Sequence, residues 1–433
     1  MKKYKNLIPL LLVCFMALSI YSDYAGAKEK TVKITENLAL ARENRKKGIV
    51  QDALTYYEKV MALEKNFAVE LEVGKMLEEA ELYKEAEEWG EHLVDKFPKE
   101  PEAYSFLLAQ YIVDRDYESS FQLNDKAVNN GCDNETFHSL MAEIDYLYEY
   151  AYGQYEDVVT FSAGMAAGLM EGDWQLVDGK GNATAYDFQK AGLYNGEVFP
   201  VKRKGKWQYA TSDGSKKIDI SKLGDCEELG SLTGNVFKAK CKGVYGYYNI
   251  QMEKIADGFE AASSMNEGLG AVSSKGKWKI LDSEGVQVGK EYKDIVINAR
   301  DVAYQNERIW VSDDGKRYYM IDAAGERVGK KEVEAARGFT VTDEPAAVAQ
   351  DGKWGFMDNQ GEMVIEPQYE DARSFCNGYA AVKQKGVWGF IDAQGEMVIE
   401  PQFADARDFS DGSVFVKRGD KFEMLMLYRN NYK

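Results

Sequence analysis

Lys353-Trp354-Gly355-Phe356-Met357-Asp358-Asn359-Gln360-Gly361-Glu362-Met363-Val364-Ile365-Glu366-Pro367-Gln368-Tyr369 returns almost letter for letter from Val387 to Phe403, at an interval of 34 residues (388 − 354 = 34). The residues that follow repeat at the same interval: Ala372 to Ala406, Phe375 to Phe409, Gly378 to Gly412. Working towards the N-terminus, the position of the Trp is filled by Tyr318, Trp278, Tyr245, Trp207 and Trp174; towards the C-terminus it is filled by Phe422. Gly181, Gly214, Gly285, Gly325, Gly361 and Gly395 each stand seven residues after such an aromatic, whereas the Tyr245 and Phe422 copies lack this Gly. A Lys-Gly or Asp-Gly pair precedes several of them, as at Lys204-Gly205, Lys275-Gly276, Asp351-Gly352 and Lys385-Gly386.

One unit predicts its own local structure. Gly378–Lys383 alternates like a short strand, and Lys385-Gly386 is a tight hairpin turn in which Gly takes a positive φ. Val387–Ile391 returns with Trp388 and Phe390 on one face and Gly389 leaving room on the other. Asp392-Ala393-Gln394-Gly395 is a second turn, its Asp accepting backbone N–H bonds. Met397–Glu400 is a third strand, expected to stop at Pro401, which has no N–H for a ladder. Strands this short cannot bury their own apolar face, so neighbouring units must stack. Tyr155-Glu156-Asp157, Phe161, Gly164, Ala166-Ala167 has the spacing of Tyr369-Glu370-Asp371, Phe375, Gly378, Ala380-Ala381, which sets the start of the array near Gly153.

With Trp354-Gly355 and Trp388-Gly389 intact, residues 154–433 resemble the WG repeat family. The other copies keep the frame but lose the Gly after the aromatic, the Tyr245 copy excepted, which keeps Gly246. The resemblance implies an all-β repeat array of a kind found in many bacterial surface or secreted proteins, with few assigned activities. Eight units are expected to close into a propeller-like ring, because closure removes exposed sheet edges. The alternative is an open β-solenoid, favoured by a unit that is short for a four-stranded blade.

Residues 28–153 read as paired helices. Apolar residues recur at three- and four-residue steps, as in Ala53, Leu54, Tyr57, Val60 and Met61. Ala53, Ala86 and Ser120 recur at a helical-repeat interval, each three residues after Val50, Tyr83 or Tyr117, where small side chains let helices approach. Gly74 and Leu77, then Leu108 and Tyr111, precede them, and Pro98 follows the second unit. This resembles the tetratricopeptide repeat over three units, with a degenerate fourth from Thr136 to Tyr152. The resemblance implies an α-solenoid that binds peptides or partners; the alternative is a helical spacer.

Residues 1–27 read as an address. Met1–Lys5 is basic, Leu7–Ile20 is apolar, and Ala25-Gly26-Ala27 ends in small residues, the layout of a cleaved signal peptide. An uncleaved N-terminal anchor is the alternative, although the apolar run is short for a bilayer span. Cys14 raises a lipoprotein reading that Val13 disfavours. Cys132, Cys226, Cys241 and Cys376 are too sparse for a disulfide scaffold and show no C-x-x-C spacing. They are expected to be isolated, semi-buried thiols, though an oxidising exterior would allow a Cys226–Cys241 bridge.

The net charge of −18 over 433 residues argues against broad phosphate contact with nucleic acid. Only His92 and His138 are present, which disfavours His-based metal sites and catalysis. The repeated Asp178, Asp282, Asp322, Asp358 and Asp392 suggest calcium loops, but each turn carries one Asp, so turn capping is the reading. Glu366/Asp371 and Glu400/Asp405 have the residue types of a glycosidase acid and nucleophile. Active sites are built once, whereas these repeat. The aromatic slots resemble choline- or glycan-binding repeats locally, but those have a shorter period, and buried aromatics are expected. Asn134 and Asn182 fit glycosylation patterns, which carry no weight in a chain of the bacterial kind that the WG resemblance implies. No nucleophilic grouping, P-loop or dinucleotide fingerprint occurs.

The sequence therefore predicts a multidomain α plus all-β chain: a leader or anchor at 1–27, helical repeats at 28–153 and a β-repeat array at 154–433. The expected function is an exported, non-enzymatic scaffold for protein–protein interaction at or outside the cell surface, with no cofactor, no metal and no assigned site residues. A cell-wall glycan-binding module is the alternative, and a glycoside hydrolase the third reading.

Overall fold

The computed structural model describes residues 7–428. Contacts divide the chain into two compact units, one ending at Asp145 and the other beginning at Tyr146. The helical unit contains α1 (Leu7–Lys46), α2 (Val50–Leu63), α3 (Phe67–Glu79), α4 (Tyr83–Lys96), α5 (Pro101–Asp114), α6 (Tyr117–Asn130) and α7 (Glu135–Ile144). The basic start at Met1–Lys5 lies outside the described residues; α1 runs without a break through the end of the expected leader. Among the described residues no helix is long and apolar enough to cross a membrane.

Successive helices pack on one another, consistent with the expected helical repeats. Ala53, Ala86 and Ser120 are fully buried. A Cβ at Gly74 would stand 2.8 Å from the tip of the Phe106 ring, so the close approach of α3 to α5 would require that ring to shift for any larger residue. Asn66, Asp116 and Asn134 cap α3, α6 and α7 by accepting the N–H of Val69, Ser119 and Phe137. Lys65 Nζ donates to the carbonyl of Lys96 at 2.9 Å, and Lys99 Nζ to that of Asn130 at 3.1 Å, one unit further on. The fourth repeat, expected from Thr136 to Tyr152, is a single helix. Beyond Ile144 the chain turns to strand, and Tyr148–Tyr150 belongs to the β unit, ahead of the expected start near Gly153.

The β unit is an eight-bladed propeller of four-stranded antiparallel sheets. Blades one to eight span 157–188, 190–219, 226–259, 261–292, 294–333, 335–369, 371–403 and 405–427. Each aromatic slot occupies one blade. A unit of this length makes four strands because the first is cut to two residues in most blades, as at Asp371–Ala372 and Asp405–Ala406. The fourth strand does not stop at Pro401: it runs from Met397 to Phe403. Pro is tolerated there because that strand is an edge, paired on one side only.

The ring closes with a strand borrowed from the front of the β unit. Blade eight has the order Asp405–Ala406, Ser413–Arg418, Lys421–Leu427, Tyr148–Tyr150, so its outer strand precedes blade one in sequence. The open β-solenoid is thus excluded. Apolar clusters fill the spaces between blades: Phe390, Phe403, Phe409 and Leu425 join blades seven and eight, and Phe415, Phe422 and Met424 join blade eight to Phe161 and Val177 of blade one.

The thiol expectation fails in blade three. Cys226 and Cys241 form a disulfide across adjacent antiparallel strands, where they are direct partners with Cα atoms 4.1 Å apart. Sequence spacing alone did not reveal that register. Cys132 and Cys376 are free and buried.

Candidate functional site

The repeated polar residues hold the blades together. Asp392 Oδ1 accepts the N–H of Gln394 at 3.0 Å and of Glu396 at 2.9 Å; Asp178, Asp282, Asp322 and Asp358 each do the same two and four residues on. They are turn caps. The Glu370 carboxylate caps the hairpin turn, accepting from Lys385 N and Gly386 N at 2.9 Å each, as Glu260 does for Lys275 and Gly276. This second device was missed in the sequence, although Glu227, Glu260 and Glu370 stand 15 or 16 residues ahead of three of the Lys-Gly pairs, with Gln189 in that place ahead of Lys204-Gly205.

All eight aromatic slots are buried or half-buried. Three of them carry a guanidinium: Arg337 over Trp354 at 4.8 Å, Arg373 over Trp388 at 5.7 Å and Arg407 over Phe422 at 4.8 Å. Arg337 also donates to Asp371 Oδ1 of the next blade at 2.8 Å, and Arg373 lies 3.5 Å from Asp405. The Gly after the Trp is a matter of space. A Cβ on Gly389 would lie 2.5 Å from the Ile399 carbonyl oxygen and 2.7 Å from Pro401 N, both backbone atoms. In blades four and five, where Lys279 and Tyr319 stand there instead, the facing strand carries Gly289 and Gly329 at positive φ.

Two cavities lie where inner edges of many blades converge, a placement that only the propeller axis allows. One, of about 400 Å³, takes Ser162 from blade one, Asn195 from blade two, Thr233 from blade three, Asn266 from blade four and Arg300 and Gln305 from blade five. The other, of about 310 Å³, is lined by blades five to eight, with Asn298, Arg337, Thr340, Arg373, Ser374 and Asp408. Its walls are cross-linked between blades: Asn298 Nδ2 donates to the Phe339 carbonyl at 2.5 Å, Ser374 Oγ to that of Gly338 at 2.5 Å, and Thr340 to that of Phe375. Asp408 is 5% exposed and its Oδ2 has no partner among the described residues. Between these groups sits Cys376, whose thiol burial pushes up to about 12; nearby Arg300 opposes that shift, while Asp408 and Glu344 add to it. Burial likewise raises the Glu344 carboxyl.

The WG containing repeat model matches residues 245–278, 354–388 and 388–422. Residues 245–422 of this chain carry WG containing repeats. No curated protein matches the chain. Among solved structures, BamB from Moraxella catarrhalis is similar at 11% identity, covering 65% of this chain and 98% of that one, with a TM-score of 0.44. Hsv2 from Kluyveromyces lactis is similar at 11% identity, covering 56% of this chain and 91% of that one, with a TM-score of 0.35.

The WG propeller does not gather the glycosidase-like carboxylates into a cleft. Glu366 and Glu400 are exposed, while Asp371 and Asp405 accept from the following backbone N–H and pair with Arg337, Arg373 and Arg407. Of the remaining candidates, Asn182 donates to Asp178 and Asn134 caps α7. His92 lies 3.2 Å from Glu70 and His138 lies 3.4 Å from Asp133, both in the helical unit. Among the described residues no three His, Cys, Asp or Glu side chains are grouped to hold a metal ion.

Proposed function

We propose that the protein is an exported, non-catalytic scaffold that binds protein partners through its helical array and its WG propeller. One observation carries the reading: the residues that repeat from blade to blade close turns, cap hairpins or bind one blade to the next. Such repetition builds a regular surface and not a reaction centre. In the helical array, a groove of about 460 Å³ between α4, α5 and α6 presents Val94, Leu107, Tyr111 and Leu123 beside Glu91 and Lys126, a fit for a short amphipathic segment. Two features support export: the leader-like composition of residues 1–27 and a Cys226–Cys241 bridge suited to an oxidising compartment. The glycan reading is the weaker one, since no aromatic slot is exposed for a sugar to stack on.

A photo-cross-linker at Gln122 of the full chain, combined with cell fractionation, tests the proposal. The expected result is a discrete cross-linked protein outside the cytoplasm, absent when Leu123 is replaced by Asp. A chain retained in the cytoplasm with Cys226 and Cys241 reduced, or one that cross-links to nothing, contradicts it.

A further inference from the structure

We propose that the axial cavity of about 400 Å³ at the inner edges of blades one to five binds a small monocarboxylate, with Arg300 as its counter-ion. This inference stands apart from the scaffold reading. The cavity is of small-ligand size and is walled by five separate blades. Its charged lining residues are Arg300 and Glu197. Glu197 is exposed and paired with Lys217, so Arg300 alone supplies charge to the interior.

No carboxylate pairs directly with the guanidinium; Glu344 acts on it only at longer range. Arg300 Nη2 donates to Cys376 Sγ at 3.1 Å, but that thiol is held neutral by burial. Arg300 Nε is buried with no hydrogen-bond partner, and among the described residues Arg300 has no ion pair within 4.0 Å. A half-buried cation whose nearest contact is a neutral thiol gains from a directly bound carboxylate. One cation suits one negative charge; phosphate would call for a second.

The neutral lining points the same way. Ser162 Oγ and Thr233 Oγ1 have no hydrogen-bond partner among the described residues, and Gln305 uses its Oε1 on Asn266 while its Nε2 stays free to donate. Asn195 and Asn266 fix the walls by donating to the carbonyls of Leu232 and Tyr304 in the next blade. Leu193, Tyr194, Leu232 and Val302 offer apolar surface for a short carbon body.

Calorimetric titration of the full chain tests this with four probes: glucuronate, a tripeptide with a free C-terminal carboxylate, the same tripeptide amidated, and inorganic phosphate. The expected result is binding of glucuronate or the free-acid tripeptide, which also tells a sugar acid from a chain end, and no binding of the amide. Arg300→Gln should weaken it by roughly tenfold or more, the loss of one charged hydrogen-bonding partner. Thr233→Val and Gln305→Leu should each weaken it less, and they carry the test if circular dichroism shows Arg300→Gln unfolded. Three results overturn the proposal: neither carboxylate binds, phosphate binds more tightly than both, or the folded variants bind as the parent does.

Discussion

Tyr155 and Phe422 exchange both backbone hydrogen bonds, each 2.8 Å long, although one opens the propeller and the other lies in its last strand. Beside them Phe415 of blade eight stacks on Phe161 of blade one with ring centroids 4.9 Å apart. The ring is therefore closed by backbone and by packing at the same seam. Replacing the fully buried Phe415 by Ala should cost about 3–5 kcal/mol. Urea unfolding followed by tryptophan fluorescence reads this; an unchanged midpoint contradicts it.

Gly389 sits against the backbone of its own fourth strand, which cannot move aside as a flexible side chain would. Gly389→Ala is expected to destabilise by about 1–3 kcal/mol. A Gly at the equivalent Lys279, whose facing strand already carries Gly289, should not show that steric cost. Thermal melts of the two variants compare them directly.

Blade five turns through Asn306 and Glu307 at φ 55° and 62°, where Asn377-Gly378 serves in blade seven. The Glu307 side chain is 72% exposed and holds only a 3.8 Å contact to Arg308. Relieving a left-handed non-Gly residue by Glu307→Gly should stabilise the protein by about 1 kcal/mol, read as a raised melting temperature.

In the helical unit the Glu87 carboxyl is raised to about 7 by burial, then by its hydrogen bond and repulsion with Asp114, with Glu91 and Asp116 adding charge. The folded chain thus holds a proton that the unfolded chain, titrating near 4.5, has released. That contribution to stability is complete below about pH 4.5 and is lost as pH rises through about 7. Helical circular dichroism during urea unfolding should show a midpoint that falls between pH 5 and pH 8 in the parent and falls less in Glu87→Gln.

Cys226–Cys241 closes a loop with a sequence separation of 15. Reduction should lower stability by about 3 kcal/mol. Non-reducing peptide mapping that recovers both cysteines alkylated from the native protein contradicts the bridge.

The crisp 354–403 repeat made the hairpins, both turns and the number of blades legible, because each rests on local residue chemistry. The small residues Ala53, Ala86 and Ser120 likewise marked helix contacts. What stayed hidden depends on partners far apart in sequence. Tyr148–Tyr150 reads as the tail of a helical repeat until Lys421–Leu427 is beside it. The Cys226–Cys241 register needs the bulged pairing of its strands. Arg300, Ser162 and Thr233 have no common spacing, and only the ring brings them to one cavity.

The central claim is that the segment before blade one supplies the outer strand of blade eight. Tyr150 and Leu425 are direct partners in that pairing. Oxidation of the Tyr150→Cys/Leu425→Cys double variant, followed by peptide mass spectrometry, tests it most directly. A monomeric protein with the two new cysteines joined is the predicted result; new cysteines that stay unlinked, or that link only between molecules, would contradict a closed ring.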